Sequence, residues 1–154
     1  MNLETALRTA PLFAPLDERQ RSRVGDLMTI RRFDAGTTIL KQGTSAVALY
    51  LILDGQVEVS REPEEGGRAV SLAQLNPGDV FGEMAVLDDD TRSSSVVALG
   101  PVRCALLSRW ELLQELRRHP ELSIELVRVL ARRIRILDER LASAAAREPV
   151  GGTV

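Results

Sequence analysis

The chain has 154 residues, 44% of them apolar and 27% charged, with a formal net charge of −2. That is the size and balance of one soluble globular domain with a single core, and it offers no overall attraction to nucleic acid or to an anionic lipid surface. One histidine and one cysteine cannot build a zinc or iron–sulfur site, and no stretch approaches the length of a membrane-spanning helix.

Residues 1–28 read as helical, with Ala6 and Leu7 on an apolar side and a break over residues 11–15. Asp17 then caps a second helix that turns Val24, Leu27 and Met28 inward. The start lacks the basic segment and apolar run of a secretory signal. The lone Cys104 shares a strand face with Val102 and Leu106, as a buried structural thiol would. Both features point to a cytoplasmic protein. Over residues 29–108 the period changes, and glycines at 36, 43, 55, 66, 67, 78, 82 and 100 punctuate short runs of Val, Ile and Leu, which predicts many short strands in a sandwich or barrel.

Residues 47–53, Asp54-Gly55 and residues 56–60 read as a hairpin closed by a two-residue type I′ turn. Residues 62–67 form an exposed tip, residues 69–75 return as a strand, and Asn76-Pro77-Gly78-Asp79 turns again. Ser108 and Glu111 have capping-box spacing and open a helix to about Arg118. His119-Pro120 resets the chain, and a long helix follows to about Ala146. Residues 148–154 have nothing to pack and are expected to be disordered.

Two strand-like runs are separated by Phe81-Gly82-Glu83-Met84-Ala85-Val86-Leu87 and Thr91-Arg92-Ser93-Ser94-Ser95-Val96. One acid and one arginine in apolar surroundings suit a small ligand that carries both hydroxyls and an anion. Glu83 would accept from a ribose hydroxyl, and Arg92 would offer its planar fork to phosphate oxygens. The turn after Gly82, if helical, directs free N–H groups at the same anion, and glycine there permits close approach. Residue types alone leave a second reading open, in which Glu83 and Arg92 form a local salt bridge beside a tight turn.

The string F-G-E-M-A-V-L, four residues, then R-S-S-S-V resembles the phosphate-binding cassette of the cyclic nucleotide-binding domain family. The resemblance extends to Ala35-Gly36-Thr37-Thr38-Ile39-Leu40-Lys41-Gln42-Gly43 and to residues 50–59, and spans roughly residues 10–145. It implies an α+β, mainly β fold: a jelly roll over residues 29–108, N-terminal helices over 1–28, and a helical lid over 109–147. It further implies that Glu83 contacts the ribose hydroxyl and Arg92 the cyclic phosphate. The amides of Ala85 and Ser93, with the Ser93 hydroxyl, would complete the cradle. Gly82, Met84 and Ser94 belong to the same site, and Phe81, Val70, Leu72, Arg133 and Leu137 are further candidates. Among these, Val70 and Leu72 would lie at the base edge, Leu137 would cap the base, and Arg133 would reach the ligand or Glu83. Two departures stand out: Thr91 where many members have proline, and Ser94 where the pattern prefers alanine. Both are small and remove no key group.

On the long helix Val127, Leu130, Ile134, Leu137, Leu141 and Ala144 recur at alternating steps of three and four. This seam serves either packing on the chain's own barrel or dimerisation, as in the catabolite activator branch of the family. Its continuation past the end of a small barrel favours a homodimer. Arg132, Arg133 and Arg135 would form its solvated face. Too few residues follow Leu141 for a helix-turn-helix module, so the chain by itself is not expected to bind DNA.

No metal, no catalytic activity and no membrane partner are expected. His119 lies at a helix junction, Asp88-Asp89-Asp90 reads as an exposed loop, and no nucleophile stands beside a base. The resemblance implies a cyclic nucleotide sensor that moves its C-terminal helix and reports to a protein partner. Cyclic AMP is favoured over cyclic GMP because Ala131-Arg132-Arg133-Ile134 resembles the activator branch. The competing expectation is a ligand-free dimerisation or interaction module.

Overall fold

The structure, a computed structural model, describes residues 1–147, so the tail expected to be disordered lies outside the described residues. Two short helices, α1 (Leu3–Thr9) and α2 (Glu18–Leu27), precede the strands. Asp17 caps α2 through a full capping box: its carboxylate accepts from Gln20 N at 2.8 Å, and its own N–H donates to the Gln20 side chain at 3.0 Å.

Six strands follow in order: β1 (Thr29–Phe33), β2 (Thr38–Leu40), β3 (Ala48–Asp54), β4 (Val57–Arg61), β5 (Val70–Leu75) and β6 (Val80–Phe81). A short helix, α3 (Glu83–Asp88), interrupts them before β7 (Ser95–Ala98) and β8 (Val102–Ser108). The helices α4 (Arg109–Arg118) and α5 (Pro120–Arg147) close the described chain. The strands form two four-stranded antiparallel sheets, ordered β1-β8-β3-β6 and β2-β7-β4-β5, a sandwich of jelly-roll type.

The two central strands of the first sheet, β3 and β8, are buried on both sides, which is why β3 reads as a continuous apolar run rather than an alternation. Leu49, Leu51 and Leu53 of β3, with Ala105 and Leu107 of β8, face a core shared with Phe13, Val24, Leu112, Leu122 and Leu126 of the helical layer. Tyr50 and Ile52, with Val102, Cys104 and Leu106, face the second sheet, and Tyr50 stacks on Phe81 of the neighbouring strand β6 at 4.9 Å. Each large apolar side chain sequestered this way contributes about 1.5–3 kcal/mol. Cys104 is fully buried, and burial pushes its thiol up to about 12, which keeps it protonated and inert.

One expectation fails. β3 and β4 do not form a hairpin: β3 pairs with β8 and β6, and β4 with β5 and β7, so the Asp54-Gly55 turn is a corner between sheets. Of the two residues only Gly55 has a positive φ, 85°, whereas a type I′ turn needs both. The residue types are explained by what surrounds them. A Cβ on Gly55 would lie 2.3 Å from the Pro101 carbonyl oxygen, and the Asp54 carboxylate accepts from Arg103 Nε at 2.5 Å.

Candidate functional site

The cassette is built around α3, which lies between two left-handed residues: Gly82 at φ 78° and Asp89 at φ 59°. Asp89 is the one non-glycine residue with positive φ among the described residues. Glycine at 82 is required sterically as well as conformationally, because a Cβ there would lie 2.8 Å from Arg92 Nη1 and 3.0 Å from Leu40 Cδ1.

Beside α3 is a cavity of about 190 Å³. Phe81, Gly82, Glu83, Met84 and Ala85 line one side, and Arg92, Ser93 and Ser94 another. The expected cassette residues are therefore brought to one place. Its floor comes from Leu40, Val59, Leu75, Val80 and Val96, which sequence reasoning did not select. Their signal was present in the alternation of Val57 and Val59 along β4, but it becomes a floor only through the register that sets Val59 opposite Val96 and Ala73. A wider groove, about 840 Å³, runs between α1 and α2 and contains none of these residues. Its rim mixes Arg8, Arg19 and Arg23 with Glu4, Glu18 and Asp26, so it presents no field of one sign.

Arg92 is 4% exposed. Its fork donates from Nη1 to the Gly82 carbonyl at 2.5 Å and from Nη2 to the Ala48 carbonyl at 2.6 Å. Its backbone is held by Thr44 and Gly43, through Arg92 N to Thr44 O at 2.8 Å and Gly43 N to Arg92 O at 2.9 Å. Burial pulls its pKa below the ordinary arginine value, against the opposing pull of Tyr50 and Glu83. The group remains a cation, and among the described residues no carboxylate lies within ion-pair distance of it. A buried charge without a counter-charge is costly, and an anion entering this cavity would relieve that cost.

Glu83 does not pair with Arg92. It accepts instead from Arg133 Nη1 of α5 at 2.8 Å, with the carboxylate side chain only 12% exposed. This resolves the open salt-bridge reading, and of the two places expected for Arg133 it takes the contact with Glu83 rather than the solvated face; Arg132 and Arg135 are exposed as expected. Met84 is 61% exposed at the cavity mouth, Ser93 is exposed, and Ser94 is half-buried.

Val70 and Leu72 are each 54% exposed and do not line the cavity. The pairing steps from Val59↔Ala73 to Ser60↔Ser71, so Leu72 is the extra residue of a β-bulge. Across that bulge Val70 pairs with Arg61, which returns it to the face of the sheet that carries Val59. It is there an uncovered apolar rim. Leu137 is 55% exposed and likewise off the cavity wall.

The family model described as cyclic nucleotide-binding domain matches residues 30–119. The chain belongs to the cyclic nucleotide-binding domain family. Among family relatives it is 36% identical to the cyclic AMP receptor protein of Thermus thermophilus over 135 residues, 88% of this chain and 62% of that protein. It is also 36% identical to cGMP-dependent protein kinase, isozyme 1, of Drosophila melanogaster over 109 residues, 67% of this chain and 14% of that protein. The chain thus spans less than two thirds of either relative. Among solved structures, the catabolite activator protein of Thermus thermophilus superposes with a TM-score of 0.76 at 34% identity, covering 88% of this chain and 63% of that one. The N-terminal domain of a transcriptional regulator from Streptomyces coelicolor A3(2) does so at 0.77 and 30% identity, covering 87% of this chain and 95% of that one.

Proposed function

We propose that the chain is a non-catalytic cyclic nucleotide sensor, favouring cyclic AMP over cyclic GMP, whose C-terminal helix responds to ligand. The observation that carries this reading is the buried Arg92 cation without a carboxylate partner, facing a cavity shared with Glu83, Ala85 and Ser93. Arg92 would hold the cyclic phosphate, the amides of Ala85 and Ser93 with the Ser93 hydroxyl would complete the cradle, and Glu83 would accept from the ribose hydroxyl. The apolar floor at Val59, Leu75 and Val96 and the rim at Val70 suit a purine face.

At about 190 Å³ the cavity is smaller than the roughly 300 Å³ at which ligand pockets begin, so part of a bound nucleotide would extend beyond its open mouth unless α3 or the Arg133 arm gives way. Titration calorimetry against cyclic AMP, cyclic GMP and 5′-AMP tests the reading. Saturable heat with cyclic AMP and none with 5′-AMP is expected; no heat with either cyclic nucleotide from folded, ligand-free protein would sink it. A second reading, a ligand-free interaction module, draws on one observation: the Arg92 fork is already engaged by two carbonyls.

A homodimer through α5 is part of the proposal. α5 rests on the helical core through Leu122, Leu126 and Val129, a stripe different from the predicted seam. Val127, Ile134, Leu137 and Leu141 are 64%, 59%, 55% and 68% exposed, and Leu130 is half-buried. Packing on the chain's own core therefore leaves the a/d face free, and a second copy of α5 is the partner whose pattern matches it. Light scattering of the chain is expected to return twice the 16.9 kDa of one copy, and Ile134→Lys to return one. A parent already at one copy would remove the dimer. The output partner is then a protein that reads this helix in the cytoplasm, with neither DNA nor membrane contacted by the described residues.

A further inference from the structure

α3 is the short element that carries Glu83, Met84 and Ala85 into the cavity, and both of its ends are tied to the C-terminal helices. At the leading end Glu83 pairs with Arg133 of α5. At the trailing end Arg109, the first residue of α4, donates from Nε to the Val86 carbonyl at 3.2 Å and pairs through Nη1 with Asp89 at 2.9 Å. The backbone N–H of Arg109 also donates to the Val47 carbonyl at 2.9 Å, so one residue joins the start of β3, the end of α3 and the start of α4.

The Asp89 carboxylate is 73% exposed, so that ion pair alone contributes little. The carbonyl contact matters more. A six-residue helix cannot satisfy its own last carbonyls, and Val86 is fully buried, away from water. Arg109 supplies the missing donor. Gly82 and Asp89 meanwhile give α3 a left-handed residue at either end, which sets it off from β6 before it and from the segment leading to β7 after it.

We infer that Arg109 is a strut that passes the position of α3 to the first turn of α4, so that filling the cavity displaces α4 by a route separate from the Glu83–Arg133 clasp. This rests on the sensor reading above. The neighbouring residue makes it measurable: Trp110 is the chain's one tryptophan and is 69% exposed. Its emission therefore reports the start of α4 alone.

The experiment pairs calorimetry with Trp110 emission during cyclic AMP titration of the full chain, and follows hydrogen exchange over residues 108–112. In the parent chain, emission is expected to change saturably with the same midpoint as the heat. In Arg109→Ala, and in Arg109→Lys should the alanine variant fold poorly, heat should persist within about threefold of the parent affinity while the ligand-induced change in emission and exchange falls to less than about a third. Heat without any response at Trp110 in the parent, or a full response in both variants, would overturn the strut and leave the ligand reading standing. Absence of heat in the parent would overturn the ligand reading and the strut with it.

Discussion

Replacing Arg92 with alanine is expected to weaken cyclic nucleotide binding by roughly tenfold to a hundredfold or more. Charge-assisted hydrogen bonds contribute about 1.5–3 kcal/mol each, and every ~1.4 kcal/mol is a factor of ten in affinity. No other described cation lines the cavity, and Arg133, which lies beside it, is already paired with Glu83. The effect on folding should be smaller than the effect on binding because two contributions oppose each other. Alanine leaves the Gly82 and Ala48 carbonyls without their donor, at about 1–3 kcal/mol for a buried orphan group. It also removes a buried cation that has no carboxylate partner. Calorimetry beside urea melts separates the two, and Arg92→Lys, which retains charge but loses the fork, should fall between parent and alanine. Unchanged affinity in the alanine variant would move the phosphate elsewhere in the molecule.

The second large effect is a graded loss of stability at three glycines that share nearly the same backbone angle. Gly36, Gly82 and Gly55 have φ of 82°, 78° and 85°, so alanine incurs a similar left-handed strain at each, about 1–2 kcal/mol. Their surroundings differ. An added Cβ meets nothing within 4 Å at Gly36, meets the Arg92 fork at 2.8 Å at Gly82, and meets the Pro101 backbone oxygen at 2.3 Å at Gly55. The side-chain end at Gly82 can shift, but the backbone oxygen cannot.

Urea melts are therefore expected to rank Gly36→Ala mildest, Gly82→Ala next, and Gly55→Ala worst, the last exceeding the first by about 1–3 kcal/mol of overpacking. Gly82→Ala should in addition lose affinity, because the side chain it displaces is the one proposed to hold phosphate. Gly36→Ala should bind as the parent does. Equal destabilisation at all three sites would show that φ alone governs them.

Much of the architecture was legible before any coordinates. Asp17 and Ser108 do cap helices, the stretch around His119-Pro120 does separate two of them, and Val102, Cys104 and Leu106 do share a buried face. These features depend on neighbours within a few residues, and side-chain chemistry at that range is readable. The cassette was legible in the same way, since Gly82 to Ala85 and Arg92 to Ser94 enter the cavity from two short segments. The Asp54-Gly55 turn misled because its residue types admit either a hairpin or a corner, and a turn does not record which strands will pair beyond it. Val70 and Leu72 are displaced by a bulge whose cause lies in the β4–β5 register rather than in either residue.

The helix ends, the strand-rich middle, the contents of the cassette and the apolar seam on α5 all follow from local spacing and residue chemistry. Which partners those residues take depends instead on how distant elements pack. Glu83 turned to Arg133, fifty positions away, rather than to Arg92, and Arg92 turned to the Ala48 carbonyl across forty-four positions. The seam, in turn, was left exposed because Leu122, Leu126 and Val129 had already met the core. This is because β3 and β8 bury both faces at once, which sets where α3, α4 and α5 must lie. A buried charge then takes whatever partner that packing brings within reach.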